Sequence, residues 1–123
     1  MSKKGSLEER WLVKYLENRG YASTRIPASG GATKSDRPDV LAGNGKDIYA
    51  FEVKSSKKDN IYIRNEQIDE LLRFSKKFGA KPLICVKFTR EPYTLLNVKQ
   101  LLRTPKGNYK VSRKDIINGT ELK

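Results

Sequence analysis

Residues 82–88, Pro-Leu-Ile-Cys-Val-Lys-Phe, form a nearly unbroken apolar run that suits a central strand buried on both faces. A strand of that kind needs cover above and below, and two segments carry the period for it. Leu7, Trp11, Leu12, Tyr15 and Leu16 recur at helical spacing behind a capping box of Ser6 and Glu9, with Gly20 as a stop. From Asn65, residues Ile68, Leu71, Leu72, Ser75 and Phe78 repeat the pattern up to Gly79, a natural residue for the left-handed position after a helix.

The remaining segments read as strands. Residues 21–27 form one, followed by a small-residue loop around Ser29, Gly30 and Gly31. Residues 38–42 and 47–54 flank Gly43-Asn44-Gly45 and form a β-hairpin. Residues 93–98 make a shorter strand near an edge, and 104–108 a turn, within a stretch 99–123 that reads as a loosely ordered tail. No internal repeat interrupts this order. At 123 residues the chain is expected to be one α/β domain, spanning 1–123, with a mixed central β-sheet flanked by helices.

Composition narrows the chemistry. Lys and Arg number 26 against 14 acidic residues, a net charge of +12, which points to a polyanionic partner, nucleic acid first. No apolar run approaches a membrane span, and no secretory signal opens the chain, so an intracellular (cytoplasmic) protein with no membrane partner is expected. With no histidine, the Ser-His and Cys-His nucleophile pairs and the histidine zinc sites are excluded. Cys85, the lone cysteine, lies in the apolar run and is expected to be core. Carboxylates and lysine must carry any catalysis.

The hairpin supplies them. Antiparallel pairing brings Asp39, at the start of one strand, to the sheet end that carries Glu52 and Lys54 on the other. Glu52 and Lys54 are two residues apart and share a face. Paired carboxylates repel, and hard oxygen ligands suit Mg²⁺, with Mn²⁺ as a substitute, which keeps its waters and accepts phosphate oxygens. Lys54 would orient the attacking water or neutralise charge on phosphorus. The plainer reading is that Asp39 caps a turn while Glu52 and Lys54 form a cross-strand ion pair on a solvated face. Against it stands the cost of an inward carboxylate without a cation.

Pro38-Asp39 with Glu52-Val53-Lys54 resembles the PD-(D/E)xK nuclease motif. Residues 4–10, 25–30, 61–67 and 73–79 further resemble archaeal-type Holliday junction resolvases, so the likeness covers most of the chain. It implies a restriction-endonuclease-like fold and a homodimer that nicks opposing strands of a four-way DNA junction with Mg²⁺. It also implies roles: Glu9 as a catalytic glutamate on the first helix, Asp39 and Glu52 as metal ligands beside Glu9, Lys54 as the motif lysine, and Ser29 as a loop serine needed for cleavage. Gln67 is a weaker match. The residues alone do not choose between Glu8 and Glu9, since Glu8 falls nearer the apolar stripe; only the likeness of Gly5 through Arg10 to the family pattern selects Glu9. The chain is shorter at its C-terminus than cellular resolvases, and either a cellular or a viral origin fits.

Lys3, Lys4, Arg10, Arg25, Lys34, Arg37, Lys57, Lys58 and Arg64 cluster in sequence around these segments, as a phosphate-tracking surface requires; the bland alternative for each is solubility. Two symmetric cuts need two active sites, hence a C₂ dimer, for which Phe74 and Phe78 on helix two and Leu95 and Leu96 on the edge strand are interface candidates; the alternative is monomer core. Two other functions fit the pattern: a duplex, mismatch or end-processing nuclease with the same motif, and a non-catalytic basic DNA-binding protein.

Overall fold

The computed structural model describes residues 6–27, 37–116, 119 and 122. Lys3, Lys4, Ser29 and Lys34 lie outside the described residues, as does the Ser6 side chain with its expected cap.

The elements follow the order α1 (Ser6–Asn18), β1 (Ala22–Arg25), β2 (Val40–Gly43), β3 (Ile48–Ser56), β4 (Asn60–Ile63), α2 (Asn65–Phe78), β5 (Lys81–Phe88), β6 (Thr94–Leu96), β7 (Leu102–Arg103) and β8 (Tyr109–Ser112). The main sheet runs β1-β2-β3-β5-β6. Its hairpin pairs are antiparallel, and β3 pairs with β5 in parallel, because β4 and α2 cross over between them. The sheet is therefore mixed, as the sequence predicts.

The apolar run on β5 does what its composition requires. Leu83 and Cys85 face α1, in a cluster with Leu12, Leu16, Val40, Phe51 and Val53. Ile84, Val86 and Phe88 face the other way, toward Ile68 and Leu71 of α2. Burial pushes the Cys85 thiol up to about 12, so it is inert packing. Gly79 ends α2 at φ 83°, where a side chain would be strained, and its N–H donates to the Ser75 carbonyl oxygen at 2.9 Å. No helix among the described residues is long and apolar enough to cross a membrane.

Two expectations are corrected. The stretch after residue 98 is not a loose tail throughout: β7 and β8 join β4 in a second, three-stranded antiparallel sheet. Leu101, Tyr109 and Val111 are buried there against Ile61, Ile63 and Phe88. Strands of two and four residues are too short to leave a periodicity to read. Leu95 and Leu96, expected at an interface, are already buried in the protomer's own core, Leu95 on the α1 side and Leu96 on the α2 side. These two side chains are not available to a partner, and Gly119 lies against the backbone of Leu95.

Candidate active site

Strand β3 is nine residues long and its partner β2 only four, so the ladder between them stops at Val40 opposite Phe51. One hydrogen bond extends it, from the Asp39 N–H to the Phe51 carbonyl oxygen at 2.8 Å. The next donor on that edge of β3 is the Val53 N–H, which lies beyond the end of the ladder. The Asp39 carboxylate serves as its acceptor, through Oδ2 at 2.8 Å. Asp39 is thus fixed by the strand-end geometry itself, with Pro38 holding the entry into β2.

Glu52 and Lys54 follow on the face of β3 opposite to Phe51 and Val53, as the two-residue period dictates. Lys54 Nζ lies 3.8 Å from Glu52 Oε2, too long for a strong bond. Glu9, in the first turn of α1, reaches the same end of the sheet and pairs through Oε1 with Arg25 Nε at 3.0 Å. Glu9, Asp39, Glu52 and Lys54 together line one cavity of about 450 Å³, with Ser55, Asn60 and Tyr62 also in its lining.

The negative charges in this cavity are poorly compensated. Burial, with Asp39 next, pushes the Glu52 carboxyl up to about 8, against the pull of Lys54. The Asp39 carboxyl is also raised, first by burial and then by Glu9, although the Val53 N–H and Lys54 oppose that shift. Among the described residues no group of three His, Cys, Asp or Glu side chains is close enough to form a preformed metal cage. Two neighbouring carboxylates with raised affinity for a positive charge nevertheless fit a hard cation that takes few protein oxygens and keeps its waters.

Glu9 and Glu8 are now distinguished. Glu9 lines the cavity, whereas Glu8 does not and its charge acts instead on Cys85 and Tyr93. Of the basic residues, Arg10, Arg37, Lys57, Lys58 and Arg64 are exposed, and Arg25 is engaged with Glu9. Gln67 serves the fold, since its Oε1 accepts the Arg64 N–H at 3.3 Å and caps α2. Phe74 and Phe78 stack with centroids 5.1 Å apart, Phe78 half-exposed at the end of α2.

Arg113, which carried no signal in the sequence, is the organiser beside the cavity. Its guanidinium reaches Asp59 Oδ1 at 3.2 Å, the Thr89 carbonyl oxygen at 2.6 Å and the Lys58 carbonyl oxygen at 3.4 Å, and it covers the Phe88 ring. It thereby pins the loop 57–59, which carries Lys57 and Lys58, to the β5–β6 turn. A contact spanning more than fifty residues of chain leaves no local pattern to detect.

The family model for the archaeal Holliday junction resolvase (Hjc) matches residues 1–123. The crossover junction endodeoxyribonuclease Hjc of Sulfolobus acidocaldarius is 38% identical over 120 residues, covering 97% of this chain and 83% of that protein. The crossover junction endodeoxyribonuclease of Sulfolobus islandicus rod-shaped virus 1 is 33% identical over 117 residues, 93% of this chain and 94% of its own. Among solved structures, Hjc of Archaeoglobus fulgidus, a Holliday junction resolvase, superposes with a TM-score of 0.81 at 32% identity, covering 90% of each chain. With the fold, the strand-end carboxylates and these matches in agreement, the chain belongs to the archaeal Holliday junction resolvase family, a family of crossover junction endodeoxyribonucleases.

Proposed function

We propose that the protein resolves four-way DNA junctions by hydrolysing phosphodiester bonds in the cavity at the end of the β2–β3 hairpin, as a single nuclease domain paired in a homodimer. The observation that carries this reading is the convergence of Glu9, Asp39, Glu52 and Lys54 on one cavity. A non-catalytic DNA-binding protein would have no use for carboxylates held inward at the centre of a +12 surface.

The residues divide the chemistry among them. Asp39, fixed by the Val53 N–H, and Glu52, opposite it, would hold a divalent cation, Mg²⁺ or Mn²⁺, with Glu9 at the edge of the set. Such a cation supplies charge neutralisation at the scissile phosphate and acidifies a coordinated water. Lys54 stands over the same space, where an ammonium group orients the attacking water and offsets the charge gathering on phosphorus. Arg25 steadies Glu9 and, from its exposed side, faces the backbone of the substrate. Arg10, Arg37, Lys57, Lys58 and Arg64 track phosphates without reading bases, which suits recognition of a branched shape. Lys3, Lys4, Lys34 and Ser29 extend that set by family likeness alone.

Two cuts placed symmetrically across a junction need two such cavities, and half-exposed Phe78, stacked on Phe74 at the end of α2, is the apolar surface that supports a two-fold interface. Relatives from archaea and from an archaeal virus support action on DNA inside the cell.

The test is Asp39→Asn. Cleavage of a labelled four-way junction is expected to fall by roughly 10³-fold or more, while junction affinity in a gel-shift assay stays within a few-fold. Undiminished cutting by the variant would remove this site from consideration. Equal cutting of linear duplex and junction by the unaltered protein would move the activity to another nuclease class.

A further inference from the structure

Five of the six tyrosines are packed against another ring or a cation: Tyr15, Tyr21, Tyr49, Tyr93 and Tyr109. Tyr62 is the exception among the described residues. Its strand neighbours Ile61 and Ile63 are 4% and 0% exposed, so the sheet turns Tyr62 outward, 63% exposed. Register places it directly across from Lys110 on β8, and Lys110 directly across from Leu102 on β7. Leu102 is 46% exposed. The second sheet therefore presents a lateral row of aromatic ring, ammonium group and aliphatic side chain on its outer face.

Two further facts locate that row. Tyr62 and Asn60 both line the catalytic cavity, so the platform adjoins it. Asn60 is held in place by the Ser112 hydroxyl, which donates to its Oδ1 at 2.7 Å, so the border between platform and cavity is fixed. A flat, sequence-tolerant apolar ring beside a cation is the arrangement on which an unstacked nucleobase rests while its phosphate is neutralised.

We propose that Tyr62, with Lys110 and Leu102, forms a stacking platform for one unstacked nucleotide at the branch point of the junction, next to the phosphate in the cavity. The inference rests on the function proposed above and adds to it a positioning subsite outside the carboxylate cluster. A branch point is where strands part and base faces come free; the platform selects for such a face, which a continuous duplex does not offer. Lys110 takes the adjoining phosphate. Tyr62 touches no reacting atom and acts by fixing the path of the strand.

The experiment uses the full chain and a four-way junction carrying 2-aminopurine at single positions, next to the branch point or deep in an arm. Binding is read in the Asp39→Asn background, so that no strand is cut. The Tyr62 and Tyr62→Trp proteins are expected to quench one branch-point probe and no arm probe, and Tyr62→Ala and Tyr62→Leu to leave that probe bright. In proteins with Asp39 intact, Tyr62→Ala is expected to slow single-turnover junction cleavage about tenfold, with Tyr62→Trp restoring most of the rate. The slope of log affinity against log salt should be unchanged by Tyr62→Ala and about 1 shallower for Lys110→Ala. Equal quenching and equal cleavage by Tyr62→Ala would overturn the platform while leaving the nuclease reading intact. Dissociation of Tyr62→Ala into monomers in sedimentation would also overturn it, by showing that the ring meets a second copy of the chain. Failure of the unaltered protein to cut any junction would instead overturn the proposed function.

Discussion

Two charged clusters lie near one another on this molecule, and they have opposite characters. Around Arg113 the charge is answered by the protein: Asp59, at 3.2 Å, and three backbone carbonyl oxygens converge on one guanidinium. In the cavity of Asp39 and Glu52 it is not, for among the described residues the ammonium paired with Glu52, that of Lys54, stands 3.8 Å away and both carboxyls are raised by burial. A cluster neutralised internally holds the fold together. A cluster that the fold leaves unneutralised, in a cavity open to solvent, is maintained for something that arrives from outside.

Lys54→Ala puts this contrast to its hardest test. It removes the ammonium group from the cavity and is expected to lower single-turnover junction cleavage by about 10²–10³-fold with junction affinity nearly unchanged. A loss of affinity equal to the loss of rate would mean that Lys54 merely binds DNA. Arg113→Ala should show the reverse profile. Removing a guanidinium with several charge-assisted bonds is expected to cost about 2–3 kcal/mol of stability in denaturant titration, with the cleavage rate of the folded fraction much less affected. If Arg113→Ala is as stable as the parent, the structural half of the comparison fails.

The third prediction concerns pH in metal-free protein. Glu52 binds its proton more tightly folded, about 8, than unfolded, 4.5. Between those values the unfolded chain releases a proton that the folded one keeps, so stability contributed by this group is intact below 4.5 and lost as pH rises toward 8. Glu52→Gln should therefore raise the melting temperature at pH 8 by a few degrees, with the gain shrinking toward pH 5. A gain that grows on acidification would contradict the assignment. The smallest effect is expected from Ser75→Ala. The Ser75 hydroxyl is buried with no hydrogen-bond partner among the described residues, and it does not line the cavity of Asp39 and Glu52. Its removal should change stability by less than about 1 kcal/mol and leave cleavage untouched, separating a packing imperfection from a site.

Much of this was legible from local pattern. The periods of α1 and α2, the Gly79 stop, the hairpin across residues 43–45 and the two-sided burial of β5 all follow from spacing between near neighbours. The Asp39, Glu52 and Lys54 arrangement was legible for the same reason, because a hairpin converts a short sequence separation into a defined register. Glu9 was reachable only through family likeness, since both Glu8 and Glu9 sit in the first turn of α1 and the choice depends on where the β1–β2–β3 sheet end falls beneath it.

What the sequence determined by itself is the two helices and the strands of the main sheet, the identity of the strand-end carboxylates and a surface charge that calls for a polyanion; each depends on interactions a few residues apart or on composition alone. Tertiary structure decided which glutamate of α1 enters the cavity, why Leu95 and Leu96 are consumed by the core, how Arg113 locks the loop beside the site, and that a second sheet turns Tyr62 outward beside the cavity. Those outcomes depend on segments far apart in the chain meeting in one place, and chain separation erases the periodicity by which a sequence is read.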